Sequence, residues 1–128
     1  FLKKIFHCYH LLQLYFWRTD MCEYDILVCV KFLSHEKGGR QYLPPIKNSE
    51  YTYRPIFKLE KKEVGYCCGV VIGNYIQNYA FDIDLYNVRV GFLEFSQIRE
   101  NLSVGDKFSL CEGFIVVATG RILKIINA

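Results

Sequence analysis

In the stretch FLSHEKGGRQYLPP, residues 32–45, a glycine pair stands between Lys37 and Arg40, with an acid at Glu36. Such a pair serves a tight turn, a phosphate cradle, or a loop whose backbone must approach a partner closely. A phosphate cradle of the nucleotide-hydrolysing kind needs GxxxxGK[ST], so that backbone N–H groups hold the phosphates and a lysine reaches them; no such run occurs. The chain therefore cannot hydrolyse GTP alone. His35 beside Glu36 has no nucleophile at a recognisable spacing, and no enzymatic role is expected. The glycines are expected to make a hairpin turn that needs positive φ, which leaves Arg40 as the credible ligand.

Metal chemistry finds little support. The six cysteines, at 8, 22, 29, 67, 68 and 111, form no CxxC pair, and neighbouring Cys67 and Cys68 are awkward joint ligands for one ion. Cys8 and His10 form a half-site without a matching half. No metal and no cofactor are expected; several cysteines fall inside apolar runs, which predicts buried free thiols in a reducing, cytoplasmic setting.

A chain of 128 residues, 52% apolar and 23% charged, fits a single globular domain that needs neither metal nor disulfide to close its core. Its net charge of +3 is concentrated at the start, where the first twenty residues hold Lys3, Lys4 and Arg18 against Asp20. The remainder has thirteen basic and twelve acidic side chains, too even a balance for a wide sequence-independent grip on phosphates, although a local patch is compatible with it.

The first twenty residues stand apart. Leu2, Ile5, Phe6, Tyr9 and Leu12 fit one side of a short amphipathic helix, and the only methionine is Met21, so an extension upstream of a start at Met21 is the alternative. Two lysines and two histidines among the first ten residues argue against a membrane span, and no small-residue cleavage site follows for a signal peptide.

From Met21 onward the pattern is one of strands. Ile26, Val28, Val30 and Phe32 alternate with Leu27, Cys29 and Lys31, and further runs follow at 54–60, with Pro55 at its start, then at 67–73, 79–85, 87–95, 107–113 and 114–126. The last is interrupted at Gly120, where a bulge or bend is expected. No helical period is sustained over ten residues. Short strands and frequent turns, with aromatic content of 16%, predict an antiparallel barrel or sandwich.

With the strands laid out, VKFLSHEKGGRQYLPP followed by YRPIFKLE resembles the opening of the third, C-terminal β-barrel domain of elongation factor Tu and its relatives. There a strand ends in Leu-Ser, an acid precedes Gly-Gly-Arg, and Tyr-Arg-Pro-x-Phe comes shortly after. VGDKFSLCEGFIVVATGRILKII is similar to the ending of that domain, and the likeness runs in order from Asp25 to Ile126, weakest between Glu63 and Leu85. The resemblance implies a closed six-stranded antiparallel Greek-key barrel over residues 21–128. It also implies a non-catalytic role in protein synthesis, binding the T-arm of aminoacyl-tRNA and protein partners: the other translation-factor domains or the nucleotide-exchange factor. The tRNA- or partner-binding residues carried over are Gly38, Gly39, Arg40, Arg54, Glu112 and Gly113. Arg40 would bond a phosphate and Glu112 a ribose hydroxyl.

The chain departs from the family where RNA contact is concerned. A customary Gln is Ile56, a basic residue is Glu60, and Glu-Gly-Gly-Arg has become Glu112-Gly113-Phe114-Ile115. RNA binding is expected to be weakened. The alternative is a free-standing protein-interaction module, regulatory or immunity-type, that copies the barrel without RNA. Structural pairing of Arg40 or Arg54 with Glu36 or Glu50 on the barrel rim is an equal reading of those arginines.

Overall fold

The computed structural model describes residues 24–48 and 51–126. The expected N-terminal helix and the two cysteines at 8 and 22 lie outside those residues.

Six strands close into an antiparallel barrel: β1 (Ile26–Phe32), β2 (Ile56–Leu59), β3 (Gly65–Val71), β4 (Leu85–Phe92), β5 (Lys107–Glu112) and β6 (Ile115–Ile125), in the order β1-β4-β3-β2-β5-β6. β2, β3 and β4 are consecutive neighbours, and β1 reaches its place beside β4 through the long connection 33–55, the Greek-key arrangement. Closure leaves no unpaired strand edge. The alternation read in β1 holds: Ile26, Val28, Val30 and Phe32 are buried in the barrel. Pro55 immediately precedes β2, where its missing N–H costs no ladder bond.

At the centre, Phe57 stacks on Phe108 with ring centroids 4.4 Å apart and meets Phe92 edge-on at 5.0 Å. Fully burying a side chain of this size stabilises the fold by about 1.5–3 kcal/mol. Gly120 leaves room for that stack. A Cβ there would lie 2.2 Å from the carbonyl oxygen of Cys29 and 2.8 Å from the Phe108 ring. The expected bulge at Gly120 is absent: it pairs in register with Val30 and Phe108, and the register shifts lie at Leu27/Val28 and Leu110/Cys111. Close packing, not a bend, is what the glycine serves.

Two further expectations are corrected. The run 79–85 is not a strand, because Asn78 and Asp82 hold positive φ (56° and 63°) and Asp82 is tied to the end of β1, its N–H to the Phe32 carbonyl at 2.7 Å and its carboxylate to the Ser34 N–H at 3.1 Å. β4 begins only at Leu85. Among the cysteines, Cys29, Cys68 and Cys111 are buried free thiols, but Cys67 is disulfide-bonded. Adjacent residues of a strand face opposite ways. Cys68 enters the core, where burial pushes its thiol pKa far up, and Cys67 is left half-buried on the outside.

Before β2 the chain crosses the outer wall. Gly69 and Gly91 pair across β3 and β4, and a Cβ on either would come within 2.6 or 2.7 Å of Tyr51, whose ring is buried in the notch they leave. A four-residue helix, α1 (Phe95–Ile98), covers the other end of the core with Phe95 and Ile98. Among the described residues no helix is long and apolar enough to cross a membrane.

Candidate binding tip

After β1 the backbone turns through a short 3₁₀ segment, His35–Lys37, closed by Gly38 in the left-handed region at φ 86°. Gly39 has a different duty. A Cβ on it would sit 1.9 Å from the Leu33 carbonyl oxygen, so only glycine lets the loop fold back on the strand it has just left. The turn is not the expected hairpin: its one bridge, Ser34 with Arg40, is parallel, and β1 pairs instead with β4 and β6. The loop's product is the position of Arg40.

Glu112 comes from the other end of the sequence, at the last position of β5. Gly113, at φ 63°, and Phe114 form the two-residue connection to β6, and Glu112 faces Ile115 across it. Glycine at the first central position suits the twist of such hairpins. Side chains 72 positions apart thereby meet: Arg40 Nη1 lies 2.5 Å from Glu112 Oε2. The Tyr53 hydroxyl donates to the same oxygen at 2.6 Å, and the arginine lies over the Tyr53 ring, 5.1 Å from its centroid. Arg40 Nε donates to the Tyr42 carbonyl at 2.8 Å.

These contacts set the electrostatics. Burial disfavours the Arg40 charge, but the hydrogen bond and charge of Glu112 outweigh it and raise the guanidinium pKa. Burial pushes the Tyr53 phenol strongly upward, and the adjacent carboxylate pushes it further. Tyr53 is thus a neutral donor fixed against Glu112, its ring packed toward Phe32 at 6.1 Å.

Of the expected site residues, Gly38, Gly39, Arg40, Glu112 and Gly113 come together at one tip. Arg54 does not join the cluster; its Nε donates to the Tyr51 carbonyl at 2.8 Å. The partner of Arg40 is Glu112 rather than Glu36, and Glu50 lies outside the described residues. Sequence reasoning gave Tyr53 no role in the site, although it opens the Tyr-Arg-Pro-x-Phe motif; nothing in a linear pattern marks a hydroxyl that will reach a strand end 59 residues away. In the sequence Phe114 stands out only as the residue in place of the family's second glycine. It is 92% exposed, with Ile115 and Val116 also exposed beside it and Tyr42 72% exposed across the Arg40 contact.

Among the described residues no group of three or more His, Cys, Asp or Glu is placed to hold a metal ion. No protein-family model matches the chain, and a search of curated proteins returns no match.

Proposed function

We propose that this chain is a non-catalytic binding module, similar in plan to the third domain of elongation factor Tu, that works in cytoplasmic protein synthesis by docking its β5–β6 tip on a protein partner of the translation-factor type. The observation carrying this reading is that Arg40 is engaged by Glu112 while the adjoining hairpin presents Phe114 to solvent. Arg40 gives Nε to the Tyr42 carbonyl and Nη1 to the Glu112 carboxylate, so a phosphate seeking the two-pronged contact that makes arginine selective for it would compete with one of these partners and meet the Glu112 charge beside it. An exposed aromatic beside a neutralised ion pair has instead the make-up of a protein hot spot, an apolar anchor with a polar surround.

A second reading keeps the tip as a weak contact for the aminoacyl-tRNA T-arm, and the meeting of Arg40 with Glu112 on one rim favours it. The two separate in one experiment. The full chain is titrated against purified elongation factor Tu, against its nucleotide-exchange factor, and against aminoacyl-tRNA by filter binding at low and moderate salt. Binding to one of the proteins, weakened at least tenfold by Phe114→Ser, is the expected result, a loss in keeping with a buried aromatic anchor. Failure to bind either protein, with tRNA binding abolished by Arg40→Ala, would assign the tip to RNA.

A further inference from the structure

The barrel wall carries a charge pattern that the net charge conceals. Strands β1, β4 and β6 contain no Asp or Glu, and β5 contains only Glu112, held at the tip by Arg40. The same four strands carry Lys31, Arg89, Lys107, Arg121 and Lys124. Register brings them onto one outer surface. Arg121 lies between Lys107 on β5 and Cys29 on β1, and Leu27 of β1 lies between Lys124 on β6 and Arg89 on β4. With neighbouring strands about 4.8 Å apart, the four outermost charges form a band roughly 15 Å across.

Two of the acids bordering this band are occupied, and Glu60 meets its edge through the backbone, its N–H donating to the Lys107 carbonyl, without an ion pair to that lysine. Asp84 faces Lys31 at 3.9 Å and also adds its field to Arg121, while Asp106 is held by Lys61 at 2.7 Å. Arg89, Lys107, Arg121 and Lys124 have no carboxylate within ion-pair distance among the described residues. Arg121 does approach the Cys29 sulfur, at 3.5 Å, from its exposed position.

Phenol rings are interleaved with these cations. The Arg121 guanidinium lies 5.8 Å from the centroid of Tyr86, a ring that is half exposed, and Arg89 lies 5.1 Å from Tyr24 and 4.8 Å from Tyr75. Cations at the spacing of a chain of phosphates, with rings on which bases can stack, are the two parts of a single-strand binding surface. A duplex fits less well, since reading its grooves takes a helix or ribbon that protrudes. An acidic protein would use the charges and leave the rings idle.

We propose that the outer face of β5, β6, β1 and β4 binds single-stranded nucleic acid, with phosphates on Lys107, Arg121, Lys124 and Arg89 and a base stacked on Tyr86. The site lies on the barrel wall and does not involve the hairpin tip.

The test is fluorescence anisotropy of the full chain with a labelled twelve-residue oligouridylate, repeated with oligothymidylate to show whether the sugar matters. Four phosphate contacts on a single strand predict about a 50-fold loss of affinity between 50 and 200 mM salt. The triple variant Lys107→Gln, Arg121→Gln, Lys124→Gln retains one contact, so its loss over that range falls to about threefold. Tyr86→Ala weakens binding about fivefold or more through lost stacking. Arg121→Lys, which keeps the charge, and Lys37→Gln, a cation of the loop after β1 that faces Asp82, bind as the parent does. No binding at 50 mM salt overturns the inference, as does a triple variant with the parent's salt dependence. Competition by polyglutamate equal to that of the oligonucleotide, with Tyr86→Ala silent, would assign the face to an acidic protein and also overturn it.

Discussion

Replacing Glu112 by alanine removes the acceptor shared by Arg40 and Tyr53, and its cost can be assembled from the two contacts. The Arg40 pair is partly open to water, with side-chain exposures of 25% and 38%, so it belongs near the upper end of the surface range, about 0.5–1 kcal/mol. The Tyr53 hydroxyl is buried, and leaving it without a partner costs about 1–3 kcal/mol. Together these give about 1.5–4 kcal/mol, or a fall in Tm of roughly 5–25 °C for a barrel of this size. Tyr53→Phe, which removes the donor as well, should cost only about 1 kcal/mol. In urea unfolding, the double variant Glu112→Ala, Tyr53→Phe should be more stable than the sum of the single losses predicts, by about 1 kcal/mol, because the unpaired hydroxyl is gone. A Glu112→Ala loss below about 0.5 kcal/mol, with strictly additive singles, would refute the shared-acceptor account.

Three further outcomes follow from the contacts of the barrel and its tip. Stability should fall as pH rises above about 9–10, where Cys and Tyr of the unfolded chain release protons that Cys68, Tyr53 and Tyr79 keep in the fold; each such group contributes a slope of about 1.4 kcal/mol per pH unit. The sign is that of a raised folded pKa, with the stabilisation fully present below the unfolded value, and Tyr53→Phe should flatten the alkaline limb in pH-dependent denaturant titrations. Gly39→Ala should destabilise by about 2–4 kcal/mol because a Cβ would strike backbone, whereas Gly38→Ala, with open space and only a left-handed φ to bear, should cost about 1–2 kcal/mol; equal losses in thermal melts would contradict the assignment of roles. Phe114→Ser, which unburies nothing, should leave Tm within about 2–4 °C of the parent while acting on partner binding.

Much of the barrel was legible because two-residue periodicity is a local property. Ile26 to Phe32 announce both a strand and its buried face without reference to any other element, and the strands near 56, 67, 87, 107 and 115 follow by the same logic. The failures have a common cause. In 79–85 apolar and acidic residues alternate as they would in a strand, yet the acid is there to accept the Ser34 N–H, a contact spanning 48 residues that no periodicity contains. Gly120 reads as a bend because glycine is usually punctuation, and its real neighbour, the Phe108 ring, is visible only once β5 and β6 pair. Arg40 and Glu112 were both recognisable as chemistry-bearing residues; that they would satisfy one another, and so leave phenylalanine as the tip's free chemistry, depended on register. The basic wall was hidden for the same reason, since its charges come from four strands dispersed over the chain and are balanced in the total by acids sited mainly in loops.

The Tyr51 ring and the notch of Gly69 and Gly91 fit as one steric unit. Either glycine can acquire a side chain only after the tyrosine has gone, and the tyrosine can be shed cheaply only if something else fills the hollow. Descendants of this sequence should therefore keep all three positions or exchange them together, and a lineage carrying Tyr51 opposite an alanine at 69 or 91 would have had to re-route the strap of chain that leads into β2.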